Sequence, residues 1–88
     1  MTPEQAFGQV IREWRLRLGL SQEQVGFESG YHRTYVSLLE RGQKSPSLGA
    51  LFRLSEALCA KPSDIVVAVE ARVACAAVRG RLAGERGK

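Results

Sequence analysis

Apolar residues recur at helical spacing through most of the chain. Ala6, Phe7, Val10, Ile11, Trp14 and Leu18 line one face of a first helix, predicted over about 3–18. Thr2 caps it, Pro3 suits its first position, and Gln5 completes a capping box. Gly19 stops it. Ser21 and Gln24 form a second capping box for a short helix over about 22–29, with Val25 and Gly26 inward and Gly30 as a left-handed stop. A third helix over about 33–41 turns Val36 and Leu39 inward, covers Tyr35 in part, and closes at Arg41-Gly42. Gln43 to Pro46 is a loop. Ser47 caps a fourth helix, about 48–58, whose inward stripe reads Leu48, Leu51, Phe52, Ser55 and Leu58 with Leu54 flanking. Pro62 opens a fifth, and Asp64 sits well at the positive end of its dipole.

The fifth helix carries a different pattern. Val66, Val69, Val73, Ala76, Gly80 and Ala83 alternate spacings of three and four, the seam by which helices pair. Its later members are small, so a partner could approach closely. Gly80, Gly84 and Gly87 predict that order ends near residue 79 and that a basic, mobile end follows. No strand-like alternation and no repeat occurs, so the fold class is all-α with five helices.

The stretch from Gly19 to Gly42 holds two short capped helices joined by a tight turn at Gly30, the layout of a helix-turn-helix. Gly26 is small where the two helices cross. Val36 and Leu39 pin the third helix from behind and leave its other face free to enter a major groove. The run GLSQEQVGFESGYHRTYVSLLERGQKSPSL, followed by FRLSEALCAKPSDI, resembles the Cro/cI-type, or Xre-type, helix-turn-helix family. Arg12-x-x-Arg15 before Gly19-Leu20-Ser21-Gln22 and Glu40-Arg41-Gly42 after it match that pattern. The piece HRTYVSLLERG is close to what controller proteins of restriction-modification systems carry. The resemblance covers about residues 7–66. It departs at Gly26, where the family usually has alanine, and at Cys59, where it often has glycine.

The resemblance implies a lambda-repressor-like domain over 1–66, with a helical extension and basic tail over 67–88. It also implies roles. Arg33, Thr34, Ser37 and Leu38 would reach base edges, Arg33 foremost because a guanidinium matches guanine O6 and N7. Gln22, Tyr35, Lys44 and Ser45 would meet phosphates or a deformed groove. His32 reads as a cap, with a backbone-phosphate contact as its second role. Arg15 and Glu40 are expected to pair as a semi-buried ion bridge between the first and third helices, rather than to do chemistry. Trp14 and Phe52 are expected in the core.

Composition narrows the classes. With 88 residues, 44% hydrophobic and 25% charged, the chain makes one small globular domain. The net charge of +4 looks like a nucleic-acid signature, yet residues 71–88 alone account for it, through Arg72, Arg79, Arg81, Arg86 and Lys88 against Glu85. Residues 1–70 are neutral, so a DNA-binding claim rests on where particular charges sit. The basic end reads first as a solvated terminus and second as a DNA-tracking arm. Cys59 and Cys75 read as partly buried free thiols. One histidine makes no zinc spacing, and no phosphate loop, nucleophile elbow or carboxylate pair appears, so neither an enzyme nor a cofactor is expected. No apolar run reaches the roughly 18 to 20 residues of a membrane span. No secretory signal pattern opens the sequence, and a cytoplasmic location is expected.

One recognition helix reads too few base pairs to stand out in a genome. A homodimer on an inverted repeat of double-stranded DNA is therefore expected, with Val66, Val69 and Val73 central to its interface; the competing reading is that these valines only close the monomer core. Repression or activation, the latter by contact with RNA polymerase, would follow. An antitoxin and a protein–protein adaptor on the same fold are the alternatives. No membrane partner is expected.

Overall fold

The helix boundaries are set by local chemistry at their ends. In the computed structural model, which describes the backbone of residues 1–86 and side chains through residue 80, α1 spans Pro3–Arg17. The Gln5 N–H donates to Thr2 Oγ1 (3.1 Å) and the Thr2 N–H donates to Gln5 Oε1 (2.9 Å), so two otherwise orphaned donors are satisfied. Ser21 and Gln24 repeat the exchange at the start of α2, Gln22–Ser29. Gly30 ends α2 at φ 80° and lets the Tyr31 N–H fold back onto the Gly26 carbonyl at 2.8 Å. His32 caps α3, Arg33–Glu40, and Ser47 caps α4, Leu48–Ala57. The long α5 runs Pro62–Arg86.

One core joins all five helices: Phe7, Val10 and Ile11 from α1, Val25 from α2, Val36 and Leu39 from α3, Leu54 from α4, Leu58 just after it, and Ile65 from α5. The expected first four helices appear within a residue of their places. Gly26 lies where a Cβ would meet the Tyr31 carbonyl oxygen at 2.5 Å, so the crossing of α2 and the turn has no room for a side chain.

Several expectations are corrected. Helix α4 buries Ala50, Leu54 and Ser55, with Leu58 buried just after it, while Leu48 and Phe52 are 73% and 56% exposed. Apolar residues occupy more than half of this helix's circumference, so their spacing does not select the inward arc. Small Ala50 permits close approach, and the Ser55 hydroxyl is satisfied internally by donating to the Leu51 carbonyl at 2.6 Å. Phe52 is thus no core aromatic. Trp14 is half-buried at the core's margin, with the Arg17 guanidinium 6.0 Å from its ring centre. Both cysteines are exposed. Cys59 occupies the turn after α4, and Cys75 lies on the stretch of α5 where most positions face solvent. Helix α5 does not end near residue 79 but continues to Arg86. The side chains of Ala83, Arg81, Arg86 and Lys88 lie outside the described residues.

Arg72 ties α5 to α1. It donates to Gln9 Oε1 (2.9 Å) and to the Glu13 carboxylate. That contact raises the pKa of Arg72 and lowers that of Glu13.

Candidate nucleic-acid interface

The face of α3 opposite the core follows from its 3.6-residue period. Val36 and Leu39 are completely buried, which fixes the roll of the helix. Arg33 and Thr34 are therefore exposed at its N-terminus, while Ser37 and Leu38, one turn on, are half-buried beside them. Lys44 and Ser45 are exposed in the loop after α3. Ser45 also borders the cleft that Val66 and Val69 line. Val66, Val69 and Val73 lie on α5; Val66 is 48% exposed and the other two are half-buried.

The N-terminus of α3 is held by His32. Its Nδ1 accepts from the Thr34 N–H at 3.1 Å and lies 2.9 Å from Thr34 Oγ1, which leaves Nε2 as the nitrogen available to a ligand. Tyr35 is half-buried against Tyr31, ring centres 4.8 Å apart and tilted by 43°. Burial, helped by the neighbouring phenol, raises its pKa, so its hydroxyl keeps its proton and can donate at neutral pH.

The first residue of α2 is locked from below. Arg15 clasps Glu40 with two hydrogen bonds, Nε to Oε2 at 2.7 Å and Nη2 to Oε1 at 2.9 Å, and donates a third to the Leu20 carbonyl at 3.0 Å. This bond to Glu40 raises the pKa of Arg15 against the opposing effect of burial. Gln22 Nε2 donates to the same carboxylate at 3.1 Å. One of its amide hydrogens is thus committed to the protein, and the other can serve a phosphate.

Three residues near this face were not singled out by the sequence pattern. Glu23 places its carboxylate 3.8 Å from the Arg33 guanidinium. Phe27, on the outward side of α2, is 84% exposed. Arg53 of α4 sits 5.8 Å from the Tyr31 ring centre. The apolar type of Phe27 at a solvent position was a legible signal; the other two depend on how the helices cross. Among the described residues no three His, Cys, Asp or Glu side chains gather as a metal site requires.

A family model described as helix-turn-helix matches residues 11–63. The chain belongs to the Xre-type helix-turn-helix family of DNA-binding transcriptional regulators. This helix-turn-helix regulator is 43% identical over 61 residues to the control protein C.BamHI of Bacillus amyloliquefaciens, a match covering 68% of the chain and 75% of that protein. It is similar to the solved restriction-modification controller protein C.AhdI of Aeromonas hydrophila, with a TM-score of 0.69 and 44% identity, over 70% of the chain and 94% of that one. The structure of the clp gene regulator ClgR of Corynebacterium glutamicum superposes with a TM-score of 0.87 at 28% identity, over 94% of the chain and 88% of ClgR. The ClgR match is long enough to include most of α5 beyond the family motif. Members of this family bind DNA as regulators and are not enzymes. Among the described residues, no helix is long and apolar enough to cross a membrane.

Proposed function

We propose that two copies of this regulator pair and read an inverted repeat in double-stranded DNA, one α3 in the major groove of each half-site. The observation that carries this reading is the contrast within α3: two fully buried residues fix the helix, and Arg33 and Thr34 are exposed at its groove-facing end. Arg33 would hold a guanine through O6 and N7, and Thr34 would touch a thymine methyl or a phosphate. Ser37 and Leu38 would meet the next base pair. Gln22, His32 Nε2, Tyr35, Lys44 and Ser45 would hold phosphates and set the register.

Pairing would use α5 with α4 beside it. An apolar cleft of about 300 Å³ opens there, lined in part by Leu48, Leu51, Val66 and Val69, and Phe52 and Val67 are exposed on the same two helices. Exposed apolar groups of this size favour an interface. Residues 1–66 would act as the DNA-binding domain and the rest of α5 as its extension. Where the regulator activates, it would meet RNA polymerase with surface outside these two faces. C.BamHI is a control protein and C.AhdI a restriction-modification controller; the same role is proposed here, in the cytoplasm, where such DNA is reached.

The test is selection from a randomised duplex pool, followed by fluorescence anisotropy at several salt concentrations with wild type and Arg33→Ala. A selected inverted repeat, salt-dependent binding, and weaker discrimination in Arg33→Ala are expected. Binding no tighter than to random duplex, or discrimination unchanged without Arg33, would overturn the reading and turn the search to protein partners.

A further inference from the structure

Glu23 and Arg33 face each other across the turn between α2 and α3. Arg33 Nη1 lies 3.8 Å from Glu23 Oε2, and both side chains are mostly open to solvent, at 66% and 78%. Together with Phe27, Tyr31 and His32 they line a polar cleft beside the groove-facing end of α3. A carboxylate in that place is costly to any DNA complex, because it faces a lattice of phosphates. An exposed ion pair also adds little to folding. Its consequence is therefore in binding.

We propose that Glu23 is a specificity-determining residue that holds Arg33 toward the bases and disfavours its use as a phosphate clamp. The inference rests on the reading of Arg33 given above. A guanidinium has five N–H donors in a fixed fork. A guanine edge takes two, so in the specific complex Arg33 bridges the base and Glu23, and the carboxylate stays neutralised. On random DNA the guanidinium turns to a phosphate. Glu23 is then left unpaired against the backbone, and that complex is weakened. Discrimination arises from the difference between the two states, as a repulsive element placed against the wrong partner.

The experiment compares wild type, Glu23→Gln, Arg33→Ala and the double variant. Anisotropy is read on the selected operator and on a scrambled duplex of equal length, and thermal unfolding verifies that all four fold. Glu23→Gln is expected to bind the scrambled duplex about three- to ten-fold more tightly while operator affinity changes by about two-fold or less. The specificity ratio then falls, and the same substitution in the Arg33→Ala background leaves the ratio unaltered. An equal fall with and without Arg33 would overturn the inference, leaving only a general charge effect. So would a lost preference at a base pair other than the one Arg33 controls, the mark of a carboxylate reading cytosine directly. If Arg33→Ala alone leaves discrimination intact, the base-reading assignment fails first and this inference with it.

Discussion

Gln22 and Glu40 are joined by a 3.1 Å hydrogen bond from the carboxamide Nε2 to the carboxylate Oε1. The same carboxylate, its side chain only 3% exposed, holds Arg15 through two bonds. One buried charge thus fixes α1, the first residue of α2 and the last of α3. Removing it strands a buried guanidinium. Glu40→Ala is expected to lower stability by about 3 kcal/mol, read as a shift of the urea midpoint without a change of slope. Glu40→Gln keeps an acceptor for Arg15 and should lose less.

Gly8 sets how closely α1 approaches α3. A Cβ there would run into the carbonyl oxygen of Leu39 and come within 2.6 Å of that of Glu40. Both are backbone atoms and cannot swing aside. Gly8→Ala should destabilise by about 2 kcal/mol, although alanine is the better helix former by about 0.5–1 kcal/mol. Gly49→Ala is the control, because its Cβ would meet only Ser47 Oγ, at 3.9 Å. It should gain about 0.5 kcal/mol by the same propensity. Thermal unfolding of the pair separates crowding from propensity.

The features legible in the sequence are those with local causes. Thr2 with Gln5, Ser21 with Gln24, and Gly30 fix their helix ends within a few residues of chain, and the structure follows them. The roll of α3 follows the Val36–Leu39 repeat, which the structure buries completely. The roll of α4 was not, since Leu48, Leu51, Phe52, Leu54 and Leu58 offer two apolar arcs and small Ala50 decides between them. Gly80, Gly84 and Gly87 suggested an end to α5 near residue 79, but a glycine costs a helix only about 1 kcal/mol and α5 passes through the first two. Gly8 and the Glu23–Arg33 pair depend on interhelical distance, which no periodicity encodes.

Cys59 takes φ 55°, and among the described residues it is the one non-glycine at positive φ. Its side chain is exposed, so little packing holds it there. A left-handed L-residue costs about 1 kcal/mol or more. Cys59→Gly removes that strain and adds some unfolded-state entropy, for a net gain of about 0.5 kcal/mol in thermal unfolding.

The Arg72–Glu13 contact makes the docking of α5 acid-sensitive. Hydrogen bonding from Arg72 does most to hold the Glu13 carboxyl below its ordinary 4.5; burial opposes it, and the charges of Arg72 and Arg17 add to the lowering. A lowered folded-state pKa stabilises fully above the ordinary value, and that stabilisation fades as pH falls through the lowered one. The stability difference between wild type and Arg72→Ala should therefore be larger at neutral pH than well below 4.5. It should also shrink in high salt, because the pair is partly exposed. Unfolding curves across pH and salt check both signs, and the Gln9 bond leaves a residue of the effect at low pH.

Val66 offers the cleanest separation of folding from pairing. It borders the α4–α5 cleft and is 48% exposed, so a glutamate there can reach water in the monomer. Val69 packs against the core, and a charge there would damage the fold as well. If α5 pairs two copies, Val66→Glu buries two carboxylates in the interface. Sedimentation should then show a monomer at concentrations where wild type is a dimer, with the unfolding of the subunit otherwise retained. Binding to the full inverted repeat should fall by about 100-fold or more, since the second half-site is no longer reached through a tethered partner, while binding to an isolated half-site should barely change. A variant that keeps the wild-type mass would place the pairing surface elsewhere, and a wild type already monomeric at micromolar concentration would leave the α4–α5 cleft to a different occupant.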